Sequence, residues 1–300
     1  MRLVFDGMNV ACKSHYVYDV KQGLQTTDGV PTGTVYGFLK HLLSWRTLHP
    51  QAEFWVAWEG EGSTTSRKAL FPAYKEGRGS GPNETMDVQL PLLKGALTSL
   101  GVHQAWKDGF EADDVIGSLA RNSTVPVLVI SSDKDLLQLV SDTVTVVKPN
   151  KTKYYDREAV IEEFGLPPDL LLTFKTFAGD TSDKLPGLRR VPRKVIASLV
   201  EDNKGDLDSI YNTRSWDLTE YQTRTLRDFE EQARINHQIM RLRAPDDYEV
   251  LTGKYDEEKV LSMCNKLSLS SLSGPLEAFQ RRSGFKKTGD PHGNLLYSTS

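Results

Sequence analysis

Short β-branched runs alternate with segments of helical period through the first half of the chain, and this alternation restricts the fold more than any other feature. Candidate strands are Arg2 to Phe5, Glu53 to Trp58, Val125 to Ser131 and Thr143 to Val147. Between them, Val35 to Leu48 and Val88 to Leu100 repeat Leu, Phe or Trp at three- and four-residue spacings, as an amphipathic helix requires. Strands separated by helices build a mainly parallel central sheet flanked by helices, so the predicted fold class is α/β. Trp45, Trp55, Trp58 and Phe38 fall on core-type periodicities and are assigned to packing. From about Asp156 the pattern turns helical, with candidates at Arg157 to Phe164, Asp169 to Ala178 and Arg193 to Glu201, and a long helix from Glu220 to Arg241. The expected organisation is an α/β core over 1–155, a helical region over 156–282 and a flexible tail over 283–300. Within the core, the Gly-, Ser- and Thr-rich segment 59–83 is read as a loop or short helices over the sheet edge.

Composition narrows the function classes. A chain of 300 residues with 38% hydrophobic side chains can bury an ordinary core. Lys and Arg number 37 against 40 Asp and Glu, a net charge of −3, so bulk positive charge does not hold this protein on nucleic acid, although local basic patches remain available. Cys12 and Cys264 are the two cysteines. They supply neither a disulfide framework nor a thiolate zinc site, and a reducing, cytoplasmic compartment is the expectation. No apolar stretch approaches the ~20 residues of a spanning helix, and Asp6 interrupts the first apolar run, which argues against membrane insertion and secretion. The histidines show no H-x-x-x-H spacing, and Gly60-Glu61-Gly62 lacks the Lys-Ser/Thr of a phosphate loop.

Acidic residues recur where strands should end: Asp6 after LVF, Glu59 after FWVAW, and Asp133 and Asp135 after VLVISS. Glu111, Asp113 and Asp114 open a helix, and Asp180 and Asp183 lie in GDTSD. Any one of these reads equally as a helix cap or a solvated acid, and EADD alone reads as a first helical turn favoured by the dipole. As a set they should converge, because the carboxyl ends of strands line the ligand crevice of open α/β sheets. So many carboxylates repel one another unless cations lie between them, and hard oxygen donors select Mg²⁺ or Mn²⁺. Between Lys184 and Lys194 there are basic residues and no acid: Lys184, Arg189, Arg190, Arg193 and Lys194. Such a run can neutralise several phosphates, and its plainer reading is a solvated helix face.

The stretches VFDGMN, VYGFL, YKEGR, FEADDVIGSLA, ISSDKDLLQLV and FAGDTSDKLPGL, in this order, resemble the 5′-nuclease domain of bacterial DNA polymerase I and the free-standing bacteriophage 5′–3′ exonucleases of the flap endonuclease superfamily. The resemblance runs from about Leu3 to about Val200, and EADD followed by SxDKDLxQL and GDxSDxLPG carries most of its specificity. It implies a PIN-like 5′-nuclease fold with a helical arch or loop, and a helix–hairpin–helix-like element at about 184–200 that holds duplex DNA. The implied activity is divalent-metal-dependent hydrolysis of DNA, and of RNA–DNA primers, at 5′ ends, 5′ flaps or branched junctions, in replication or repair. Two Mg²⁺ or Mn²⁺ ions are implied. By position their ligands fall on Asp6, Glu111, Asp113, Asp114, Asp133, Asp135, Asp180 and Asp183, with Glu59 where the family more often has Asp. Lys75 and Arg78 match arch residues that face the scissile phosphate, and Tyr74 the position of a base-stacking ring. Arg190-Val191-Pro192 replaces the family's Gly-hydrophobic-Gly turn. Proline has no N–H for a phosphate, and the departure counts against the potassium ion often held there. Without a polymerase segment, a free-standing nuclease is the expectation. The rival readings are a metal-dependent ribonuclease of the related PIN-like fold and a structure-specific DNA-binding protein whose site has decayed.

Overall fold

The computed structural model describes residues 1–77, 84–213, 216–272, 274, 276, 286–289 and 295–298. The fold is α/β with a mixed, mostly parallel arrangement of strands flanked by helices. In chain order the elements begin β1 (Arg2–Asp6), α1 (Gly7–Ser14), a π-helix (His15–Val20), α2 (Gly33–Leu48), β2 (Glu53–Ala57), α3 (Thr65–Leu70), α4 (Glu84–Asp87), α5 (Gln89–Ser99) and β3 (His103–Trp106). There follow α6 (Ala112–Arg121), β4 (Val127–Ile130), β5 (Val144–Val147), β6 (Tyr154–Tyr155), α7 (Arg157–Phe164), α8 (Leu171–Ala178), α9 (Arg193–Asp202), α10 (Leu207–Asn212), α11 (Glu220–Asp228) and α12 (Glu230–Met240). The described chain ends with β7 (Glu249–Leu251), α13 (Glu257–Lys266) and the paired strands β8 (Lys286–Gly289) and β9 (Leu295–Ser298). Among the described residues no helix is long and apolar enough to cross a membrane.

The chain divides into two compact units. The first comprises Met1–Val56, Pro82–Ala105 and Val250–Ser300. In it β1, β2 and β3 lie side by side in that order. Its core holds Leu3, Val4, Phe5, Phe38, Trp45 and Phe54, all at most 1% exposed. The alternation of residue types does not expose β3, because HQAW is half polar. Gln104 is buried there since its amide donates to the Lys94 carbonyl at 2.9 Å and to Thr98 Oγ1 at 2.8 Å. Asp19 is a buried acid of this unit, and it caps α2 by accepting from the Gly33 N–H and the Thr34 hydroxyl, each at 2.7 Å.

The second unit comprises Ala57–Gly81 and Trp106–Glu249. Its strands lie in the order β6-β5-β4. β4 and β5 run parallel with Val127 opposite Val144, and β5 pairs antiparallel with β6. The helical part packs Phe174 and Phe177 of α8 against Ile196, Leu199 and Val200 of α9, with Ile210 and Leu226. The long helix expected from Glu220 to Arg241 is instead two helices. They meet at Phe229 (φ −93°, ψ −1°), whose ring turns into this core and whose N–H closes on the Leu226 carbonyl. Within 59–83 the short helix α3 forms and buries Arg67.

Candidate active site

Helix α6 begins where its sequence puts acids into the first turn. Glu111 is the extended N-cap, Asp113 and Asp114 follow, and Val115, Ile116 and Leu119 anchor the opposite face in the core. Asp114 is fully buried, and two guanidinium groups converge on it. Arg67 donates from Nη1 to Oδ2 at 2.8 Å and from Nη2 to Oδ1 at 2.9 Å. Arg243 donates from Nη2 to Oδ2 at 2.8 Å, from Nε at 3.2 Å and from its backbone N–H to Oδ1 at 2.8 Å. The chain carrying Arg243 lies close on α6 because residue 117 is glycine. A Cβ on Gly117 would stand 3.2 Å from the Ala244 methyl.

Glu111 is the second hub. Its Oε2 accepts from Arg67 Nη1 at 2.7 Å and from the Tyr74 hydroxyl at 3.0 Å, and its Oε1 accepts from Lys75 Nζ at 2.5 Å. Tyr74 is 4% exposed and packs with Leu185, Ile239 and Met240, so its ring faces the protein interior. Burial, reinforced by the Glu111 charge, pushes the Tyr74 phenol well above its usual range and keeps it a donor. Burial opposes the charge on Lys75, but Glu111 outweighs it and holds the ammonium above its usual pKa. For Asp113 the surroundings favour the neutral form. Burial first, then the neighbouring Asp114 charge, push its carboxyl up to about 8 despite Arg67. Glu111 and Asp114 thus pair with Arg67, Lys75 and Arg243.

A second acidic group lies where β4 ends and α8 ends. After β4 the Asp133 N–H donates to Ser131 Oγ at 3.0 Å, and Asp133 Oδ1 accepts the Asp135 N–H at 2.9 Å. This turn leaves Asp133 exposed and sends Asp135 inward, with Leu136 and Leu137 buried behind it. At the end of α8, Gly179 takes φ +72°, and a Cβ there would stand 2.5 Å from the Gly187 nitrogen. The chain can therefore fold back, and Asp180 and Leu185 exchange backbone hydrogen bonds at 2.9 and 2.8 Å. Asp180 Oδ1 holds this turn through the Ser182 N–H and hydroxyl at 2.8 and 2.6 Å. Asp183 is presented by the same turn, and its carbonyl accepts the Lys75 N–H at 3.2 Å, which joins the turn to the Lys75 segment. One oxygen from each of Asp135, Asp180 and Asp183 lies within 4.8 Å of the others. Opposite ligands on one ion with 2.0–2.6 Å bonds stand about 4–5 Å apart, so this donor set fits a hard divalent cation. Lys175 pairs with Asp135, and burial lowers its pKa against the pull of Asp133, Asp180 and Asp183.

The structure thus gathers Lys75, Tyr74, Glu111, Asp113 and Asp114 in one group, and Asp135, Asp180 and Asp183 in another. Asp133 is at the exposed rim of the cavity that Lys175 and Asp180 line. Glu59 follows β2 in the second unit and is exposed. Asp6 belongs to the first unit, where it ends β1 and accepts the Asn9 N–H at 3.1 Å as the cap of α1. Arg78 lies outside the described residues. Lys184, Arg189, Arg190, Arg193 and Lys194 are all exposed, along the turn from α8 into α9 and on the first turn of α9. Arg67, Arg243 and Lys175 escaped the sequence reading. A lysine on a helix that buries Leu171, Phe174 and Phe177, five positions before Asp180, is a signal that could have found Lys175. Arg67 and Arg243 carry none, since each resembles any surface arginine until the fold brings it to Asp114.

Fold and site together define an α/β protein with three converging carboxylates that could hold a cation. The chain belongs to the 5′-3′ exonuclease family, whose N-terminal resolvase-like domain matches residues 1–165. It is 35% identical over 207 residues to a 5′-3′ exonuclease of Bacillus subtilis, covering 67% of this chain and 69% of that one. It is 38% identical over 191 residues to DNA polymerase I of Pseudomonas aeruginosa, covering 63% of this chain and 21% of the polymerase, so it spans about a fifth of that relative's length. The bacteriophage T5 D15 protein, crystallised with metal ions, has the same fold at a TM-score of 0.64 and 16% identity, over 93% of this chain and 96% of that one.

Proposed function

We propose that this chain is a divalent-metal-dependent 5′-nuclease that hydrolyses phosphodiester bonds of DNA at 5′ ends or 5′ flaps, with Mg²⁺ or Mn²⁺ as the ion. The observation that carries this reading is the convergence of Asp135, Asp180 and Asp183 oxygens within 4.8 Å, in a chain of the 5′-3′ exonuclease family. Asp135, Asp180 and Asp183 would hold one ion, and Glu111 with Asp113 a second. Such ions, when bound, polarise a phosphoryl oxygen and lower the pKa of water. The high pKa of Asp113 fits this role, since a cation would restore the charge that burial disfavours.

The protein's own groups would do the rest. Asp114, saturated by Arg67 and Arg243, orients the start of α6 instead of binding an ion. Tyr74 fixes Glu111 through its hydroxyl. Lys75 supplies a positive charge for the phosphoryl oxygens, where a preorganised donor is most effective. The exposed run from Lys184 to Lys194 would hold the duplex by its phosphates, which suits a protein of net charge −3 better than a uniformly basic surface.

The test is to replace Asp135 or Asp183 with Asn and follow cleavage of a 5′-labelled flap duplex. Removing one ligand charge while keeping the shape should lower the rate by orders of magnitude, while binding measured in Ca²⁺ persists. Full activity of either variant in Mg²⁺ would remove that residue from the site.

A further inference from the structure

Helix α8 sends Leu171, Phe174 and Phe177 into an apolar core, yet it also carries Lys175. The Lys175 ammonium pairs with Asp135, and the two side chains are only 12% and 17% exposed. Asp133, Asp180 and Asp183 act on the same ammonium. The neighbouring Lys134 is engaged elsewhere, with its Nζ 2.7 Å from Glu163. The second acidic group therefore has a lysine of its own, seated on one of the three carboxylates that converge.

Converging carboxylates held at fixed positions repel one another whether or not an ion is present. We propose that Lys175 is a built-in counter-ion that occupies Asp135 when no divalent ion is bound and competes with that ion for the carboxylate. The inference rests on the reading of Asp135, Asp180 and Asp183 as ion ligands. Lysine suits the task because its compact charge rides on a flexible four-carbon stem and can swing aside while α8 stays in place. It has somewhere to go. A cavity of about 520 Å³ is lined by Lys175 itself with Ser132, Asp133, Asp180 and Thr181, and exposed Asp133 can receive the displaced ammonium. The competition lowers ion affinity, and in return keeps the group assembled without an ion.

Mn²⁺ binding to the full chain without DNA, followed by calorimetry, tests this on the parent, Lys175→Gln, Lys175→Arg and Asp135→Asn. Lys175→Gln should bind one Mn²⁺ at least about fivefold more tightly, the lower end of ordinary coupling between sites. Lys175→Arg keeps the competing charge and should stay near the parent. In EDTA Lys175→Gln should melt below the parent, with a larger upward shift on adding Mn²⁺. Unchanged or weaker Mn²⁺ binding by Lys175→Gln overturns the proposal. A measurement on the parent alone needs no variant to fold: amine acetylation read by peptide mass spectrometry should label Lys175 faster when Mn²⁺ is present. Equal or slower labelling counts against displacement. If Asp135→Asn binds Mn²⁺ like the parent, the ligand assignment itself fails, which is a different result from failure of the counter-ion.

Discussion

Asp114 and its neighbour Asp113 stand in very different surroundings. EADD presents two adjacent aspartates as equals, but six hydrogen bonds from Arg67, Arg243 and the Glu111 N–H end on Asp114. Asp113 next to it is left with a carboxyl whose pKa is raised to about 8. The Arg67 and Asp114 side chains are 3% and 0% exposed, and removing one member of a buried pair leaves the other charge uncompensated. Asp114→Ala should therefore lower stability by about 3–5 kcal/mol in urea unfolding. Asp113→Asn should unfold near the parent midpoint or above it. Equal losses for the two variants would put both aspartates in the same structural role. The difference could not be read from sequence, because it depends on Arg243 arriving from 129 positions away.

Two connecting elements carry consequences of their own. In the turn into α9, Arg190 has φ +55°, a left-handed backbone that glycine adopts without strain. This turn thus keeps the geometry a glycine would supply, with a charge in its place. Arg190→Gly should hold or raise the melting temperature, by up to about 1 kcal/mol of stability. It should also weaken duplex binding and flatten the slope of log K against log salt by about 1. An unchanged slope would make this arginine a solvated residue. In α7, Glu163 accepts from Lys134 at 2.7 Å, from the Tyr155 hydroxyl at 3.0 Å and from Lys153. Partial burial opposes the charge, but these donors hold the carboxyl down to about 2, against an ordinary 4.5. A depressed carboxylate stabilises the fold fully above about pH 4.5 and loses that contribution as pH falls toward 2. Glu163→Gln should show a shallower loss of melting temperature across that window. Parallel acid profiles for parent and variant would mean that the three donors contribute nothing net.

Across the chain, what could be read in advance follows from how local each signal is. β1, β4 and β5 are written in short apolar runs, and the acids that end β1 and follow β4 are visible for the same reason. β3 is half polar, and the break at Phe229 goes with a ring packed on the core of α8 and α9, so no local period reveals either. The acids of EADD and GDTSD were legible as types at a spacing. Which cations balance them was not, because Arg67, Lys175 and Arg243 acquire their roles only through folding. The proposed function gives these acids metal-dependent cleavage of DNA near a 5′ end. It is tested most directly by offering 5′-labelled flap DNA, nicked duplex and single-stranded RNA in parallel, each with Mg²⁺ and with EDTA. Cuts in the DNA substrates near the 5′ end or flap junction are expected in Mg²⁺, and none in EDTA. Cleavage in EDTA, or of the RNA alone, would contradict it.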